Sequence, residues 1–413
     1  MVDLSTQTAA RSRASVSAAS PTRDALAPLT AVDVEQWREL AERALEPNGY
    51  YLPGWAVAVN AFARGRKGVS TLSARSEVST QGAARLIGLL PVIPIARAYG
   101  IPLPALATAE PYGTLCTPLL DGAMAQEAAA GLLLQAAVSG ARALVLRDVA
   151  LDGAVMRAFD QALQRNGMRS RVLHSRLRAC LDATRDADEL LREALGPKKL
   201  KELRRQRHRM AEHGPVQFDI ARRPEQVAVA LETFLSLEAS GWKASRGTAL
   251  NQDEGDARFI RRAAPALAET HQCEIVTLRA GDSPVAAAIV LRHRDRAFYF
   301  KLGIDERFAK FSPGVQLTLE LTRHLCADPA IATADSTASA DHPMINPIWR
   351  GRFEVGDVLI PLRRNDPVVP LLHAALAARN TLRAFAHGAA QLLGRKRRAY
   401  RAAAGLPTRP PAH

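Results

Sequence analysis

The residues best suited to chemistry cluster around one strand-loop-helix pattern. Ala297 to Asp305 is apolar and aromatic, as a buried strand would be. Lys310, Ser312, Gly314 and Val315 follow in a basic Ser-Pro-Gly loop. Gln316 to Leu325 then has helical periodicity. A helix start exposes unpaired backbone N–H groups and the positive end of the macrodipole. A glycine there lets a phosphate approach the backbone. Lys310, Ser312, Gly314 and Val315 would thus supply charge, hydroxyl and open backbone to a phosphorylated ligand. The same residues also fit an ordinary β-loop-α connection with Ser312 as a cap.

Other polar groups gather on either side of that loop. Glu238 sits near the end of a helical pattern, with Trp242 and Lys243 close behind. Asp335 ends a short strand, and Asp341 and His342 follow it. Removing a proton from an attacking nucleophile needs a base of the Glu238, Asp341 or His342 type. Tyr299 alternates with Phe298 and Phe300, faces one side of its strand alone, and could give a proton to a leaving group. Trp242, Lys243 and Asp335 would line an acceptor pocket. Each also has a plain structural reading: Trp242 in the core, Lys243 in solvent, Asp335 fixing a turn, His342 capping its loop, Tyr299 packing.

The elements that must hold these groups alternate between strand and helix, which implies an α/β architecture. Helical patterns cover Val32–Glu46, Ala56–Ala63, Ala125–Ser139 and Gly153–Asn166. Strand patterns cover Arg85–Ile95, Arg142–Val149 and Ser170–Leu181, and Ile101–Leu119 has the composition of an irregular loop. The prolines in Arg85–Ile95 argue for an edge or a bulge. A short helix stops at Gly196 and Pro197, and a basic helix runs on to Glu212. The second half holds strand Val216–Ile220, helices Pro224–Ser240 and Asp256–Glu269, a hairpin of Gln272–Arg279 with Val285–His293, and late strands at Ala332–Asp335, Trp349–Phe353 and Val358–Leu362. We expect a leader at 1–30, an N-terminal domain at 31–195, a connector at 196–214, a second domain at 215–365 and a helical tail at 366–413.

The 413 residues suffice for two domains, and 47% apolar content supports real cores. The net charge of +14 is concentrated. Residues 197–213 carry +5 and residues 379–401 carry +7, so basicity belongs to two helices and not to a nucleic-acid-wrapping surface. In the tail, Leu371, Leu372, Leu376, Leu382, Phe385, Leu392 and Leu393, followed by Arg395 to Arg398 and Arg401, suggest a helix lying on an anionic membrane. No stretch approaches the roughly 18 apolar residues of a spanning helix. Cys116, Cys180, Cys273 and Cys326 are too scattered for zinc or a disulfide framework, so no metal is expected, and a reducing cytoplasm is the natural compartment.

The second half resembles the GNAT-superfamily acyltransferases. More narrowly, it is similar to the CelD-type proteins of cellulose and exopolysaccharide synthesis, relatives of the FemAB peptidyltransferases, which carry two GNAT-like domains. The likeness rests on Lys198 to Met210, Leu237 to Lys243, Phe300 to Asp305 with Phe311 to Gly314, and Asp335 with Asp341 to Trp349. It implies two GNAT-like α/β domains, each a mixed twisted sheet flanked by helices, joined by a basic helix. It also implies an acyl-coenzyme A (acetyl-coenzyme A) donor held at Lys310–Val315, and a sugar, polysaccharide or envelope precursor as acceptor. A polysaccharide synthase complex and the face of the inner membrane are the implied surroundings. Two alternatives stay open: a donor carried on tRNA, as in some FemAB relatives, and a non-catalytic accessory role. The usual GNAT pyrophosphate loop, Gln/Arg-x-x-Gly-x-Gly/Ala, survives here only as its basic residue and one glycine.

Overall fold

The computed structural model describes residues 26–76, 84–240 and 249–382. The proposed leader falls largely outside them, as do Trp242, Lys243 and the basic run Arg395 to Arg401.

Among the described residues, twelve strands form one mixed sheet. In chain order they are β1 (Ser70–Arg75), β2 (Leu86–Pro94), β3 (Ala105–Thr108), β4 (Leu119–Leu120), β5 (Ala143–Ala150), β6 (Arg171–Asp182), β7 (Val216–Ala221), β8 (Cys273–Ala280), β9 (Ser283–His293), β10 (Arg296–Ile304), β11 (Thr333–Asp335) and β12 (Gly351–Pro361). Their order across the sheet is β1-β2-β3-β5-β12-β6-β11-β10-β9-β8-β7, with β4 beside β2. β3/β5 and β10/β11 are parallel, and the remaining pairs are antiparallel. The fold is thus mixed α/β, with a large mixed sheet flanked by helices.

Three local expectations change. β2 is interior, not an edge. Its Pro91 is tolerated because β4 pairs with Gly88–Leu89 and β3 with Val92–Pro94, so Pro91 falls in the gap between them. The Ile101–Leu119 stretch contains β3 and ends on the first residue of β4. The two strands expected at Trp349–Phe353 and Val358–Leu362 are one, β12, and it lies between β5 and β6. β12 therefore completes the N-terminal half, while β6 continues the sheet into β11 of the second half. Pairing between residues so far apart leaves no local sequence signal.

The helices among the described residues include α1 (Val34–Glu42), α2 (Pro53–Phe62), α3 (Ile95–Tyr99), α4 (Ala125–Val138), α5 (Ala154–Gln164), α6 (Ala187–Met210), α7 (Pro224–Ser240), α8 (Glu254–Ala268) and α9 (Pro313–Cys326). A further helical stretch covers residues 368–382. α6 breaks at Gly196, whose φ of 70° suits glycine. Its second segment buries Leu200, Leu203 and Met210 and turns its cations outward except Arg207, which is half-buried and pairs with Glu320 at 3.0 Å. Leu372 and Leu376 of the last stretch are also buried, against β12 and β5, so they are not available as membrane anchors. Leu371 and Leu382 are exposed.

The two halves are locked by His293 at the end of β9. Its Nδ1 accepts from the Asn48 N–H at 2.8 Å, and its Nε2 donates to the Ala41 carbonyl at 2.9 Å. Burial is the main force holding this imidazole down to about 4, from an ordinary 6.5. The folded pKa lies below the unfolded one, so the contribution is complete above pH 6.5 and is lost as pH falls toward 4. The span corresponds to about 3 kcal/mol. Urea titrations between pH 7 and 4 should therefore show wild type losing more stability than His293→Gln. Parallel losses in the two proteins would mean that His293 is not the titrating lock.

Candidate functional site

β10 pairs with β9 along its length but with β11 only over Arg296–Phe298. Beyond Phe298 the β10/β11 ladder ends. The β9/β10 register also slips between Tyr299 and Lys301, leaving Phe300 as an extra residue of a bulge. The Tyr299 carbonyl, turned from its ladder, accepts instead from the Thr337 hydroxyl at 2.6 Å. The sheet opens here, and a cavity of about 640 Å³ lies between β10, the first turn of α9 and residues 336–345.

α9 starts without a side-chain cap. Ser312 adopts the left-handed conformation (φ 53°, ψ 53°), and Pro313 opens the helix. Proline has no N–H, so the first-turn donors fall to Gly314 and Val315, both of which line the cavity together with Ser312. A Cβ on Gly314 would sit 2.9 Å from Leu302 Cδ2 and 3.4 Å from Met344 Sδ. Glycine is thus what lets the helix start press against β10. Lys310 is exposed outside this lining, with its Nζ 4.8 Å from the Phe311 ring centroid. The Arg209 guanidinium of α6 approaches the same ring at 5.9 Å. Gln316 ties the two helices together by donating to the Leu203 carbonyl at 2.8 Å. The loop is therefore flanked by two cations, one of them remote in sequence.

His342 lines the cavity, and its Nδ1 accepts two long hydrogen bonds, each 3.4 Å, from the backbone of Met344 and Ile345. Tyr299 also lines it, but its hydroxyl is buried and donates to Thr318 Oγ1 at 3.1 Å, which in turn donates to the Gly314 carbonyl at 2.8 Å. Burial pushes this phenol well above its ordinary range. A group so held braces β10 against α9 and is poorly placed to release its proton into the cavity.

Glu238 does not line the cavity. Its buried carboxylate accepts from Lys301 Nζ at 3.0 Å and from the Leu250 N–H at 2.9 Å. A carboxylate committed in this way positions Lys301, which does line the cavity, and is unsuited to act as a base. Asp341 is exposed on its loop and outside the lining. Asp335 does not line the cavity either. It is buried, bonds Arg178 Nη1 at 3.0 Å, and accepts from the Thr337 N–H at 2.7 Å. Arg178 is itself fully buried and donates to the Thr114 carbonyl at 2.6 Å. This pair ties β6, β11 and the 114 loop together at the foot of the opening. Sequence reasoning missed Lys301, Arg178 and Arg209. Only Lys301 left a signal, as the one charge ending an aromatic strand.

Residues 197–342 match the model of the acetyltransferase (GNAT) domain. That match spans about a third of the chain, within its second half. The matched span includes α7, β10, the α9 loop and His342. Among solved structures, FemX aligns with a TM-score of 0.53 at 13% identity, covering 83% of this chain and 98% of that one. A conserved protein of unknown function from Bacteroides thetaiotaomicron gives 0.50 at 11%, covering 80% and 98%. The C-terminal domain of a putative lysylphosphatidylglycerol synthetase from Agrobacterium fabrum gives 0.48 at 14%, covering 83% and 95%. The first two likenesses show a shared fold. No curated protein matches the chain.

Proposed function

We propose that the protein is an acyl-coenzyme A-dependent N- or O-acyltransferase acting on a sugar, polysaccharide or envelope precursor. One observation carries the reading: the opening between β10 and β11 ends at the uncapped N-terminus of α9. The Gly314 and Val315 N–H groups and the helix dipole would hold the pyrophosphate, with Lys310 and Arg209 adding positive charge at the loop. The acyl-bearing arm would lie along β10. The acceptor amine or hydroxyl would attack the thioester carbonyl while His342 takes its proton. The tetrahedral oxyanion then collapses, breaking the carbon–sulfur bond, and the coenzyme A thiolate leaves and is reprotonated. Direct attack suits the cysteines, none of which lines the cavity. Burial pushes the Cys326 thiol up to about 11 and keeps Cys273 protonated as well. The cellulose or exopolysaccharide setting belongs to this proposal.

Gly314→Asp puts a carboxylate where the pyrophosphate would bind. Calorimetry should show acetyl-coenzyme A affinity lost, with only a modest fall in melting temperature, since the nearest obstruction is the mobile end of Leu302. Equal affinity in the two proteins would remove the loop as the donor site. A donor carried on tRNA is the second reading. It is favoured by the exposed cations Lys198, Lys201, Arg204, Arg205 and Arg209 on the helix bonded to α9. Ribonuclease-sensitive transfer without coenzyme A would select it.

A further inference from the structure

A second cavity, of about 410 Å³, lies in the N-terminal half, and none of the roles above uses it. Five arginines line it: Arg64, Arg66, Arg97, Arg147 and Arg379. The only carboxylate in its lining is Glu110. Converging like charges repel; Asp253 reaches Arg64 Nε at 3.7 Å from outside the lining, and inside it Glu110 faces the others alone. Two of the five do meet Glu110: Arg66 donates to it, and Arg147 Nη2 lies 3.9 Å away. Arg97 is anchored to backbone carbonyls of the 65–68 turn. Aromatic rings hold the fork planes in place. Arg66 lies over Tyr112 at 4.4 Å, and Arg379 and Arg147 flank Tyr99 at 4.8 and 5.5 Å. Arg66 and Arg147 are mostly withdrawn from solvent, and the buried Arg66 Nε has no hydrogen-bond partner among the described residues. Oriented, partly desolvated guanidinium forks with spare donors suit the oxygens of a phosphoryl group.

The cavity is also coupled by chain to the catalytic opening. Four residues after Glu110, Thr114 donates its hydroxyl to the Thr337 carbonyl at 3.1 Å, and Thr337 lines the donor cavity. Those four residues span at most about 14 Å of chain, the length of one small phosphorylated molecule. We propose that the arginine cavity binds a phosphate or diphosphate group, and that this group belongs to the acceptor. The acceptor part of this inference rests on the acyl-transfer reading above, whereas the anion site does not.

The test is calorimetric titration of the full chain with inorganic pyrophosphate at low ionic strength, with no acyl donor present. Wild type should bind saturably. Arg66→Gln combined with Arg147→Gln should weaken binding by about tenfold or more, the scale of a lost charged hydrogen bond. Glu110→Gln should tighten it, a change of sign that misfolding cannot mimic. Acetyl-coenzyme A affinity should be unchanged in all variants. No binding by wild type, equal affinity in the double variant, or weaker binding in Glu110→Gln would each overturn the anion site. An equal loss of acetyl-coenzyme A affinity in the double variant would assign the cavity to the donor and overturn the acceptor reading. Loss of acetyl-coenzyme A binding to wild type alone would sink the donor proposal and leave the anion site standing.

Discussion

Replacing His342 with Ala is expected to lower turnover by about 10²–10⁴, the contribution of a positioned general base, while acetyl-coenzyme A affinity stays near the wild-type value. The expectation comes from elimination within one cavity. Of the titratable side chains that line it, Tyr299 is committed to Thr318 and Lys301 to Glu238. An imidazole is the side chain that exchanges protons near neutral pH. His342 also holds its own loop through two weak backbone bonds, so an Ala variant alone could act by loosening the loop. His342→Gln separates the two roles, because it can still accept those bonds but cannot take a proton near neutrality. The base assignment predicts that both variants are slow and that both lose the acidic limb of the kcat/KM profile. A near-normal rate or an unchanged pH profile in His342→Gln would reduce His342 to a loop anchor.

Asp335→Ala is expected to cost about 3–5 kcal/mol of stability, because it leaves the fully buried Arg178 without its carboxylate. The loss should be visible as a lower urea midpoint. Adding Arg178→Met should recover much of it, since an apolar replacement of both partners removes the stranded charge. Recovery of that kind cannot come from a substrate-binding aspartate. A loss below about 1 kcal/mol in Asp335→Ala, or no recovery in the double variant, would refute the structural role. Activity would fall as well, because Asp335 also holds the Thr337 N–H at the cavity wall.

These two residues show what a sequence can and cannot reveal. The strand, loop and helix start around Ser312–Val315 were legible from local order, and the folded chain places His342 on the same cavity. Helix α7 was predicted at Pro224–Ser240, the bounds it has. The ion pairs of Asp335 and Glu238 were not legible, because their partners, Arg178 and Lys301, lie far away in the sequence and meet them only in the folded sheet. Burial turned both from open reactants into halves of ion pairs. The same holds for β12, whose place between β5 and β6 depends on pairing across some two hundred residues. Arg209 reached the α9 loop through helix packing, which periodicity cannot foresee. The bulge at Phe300 and the end of the β10/β11 ladder, which together open the cavity, leave no mark in composition.

The central claim is that a coenzyme A thioester occupies the opening between β10 and β11. Hydrogen exchange of the full chain, measured with and without saturating acetyl-coenzyme A, tests it most directly. The account predicts slowed exchange at the amides of Gly314 and Val315 and across residues 336–345, with β1 and β2 unchanged. Saturating ligand that protects no amide in those segments, or protection confined to another part of the chain, would contradict it.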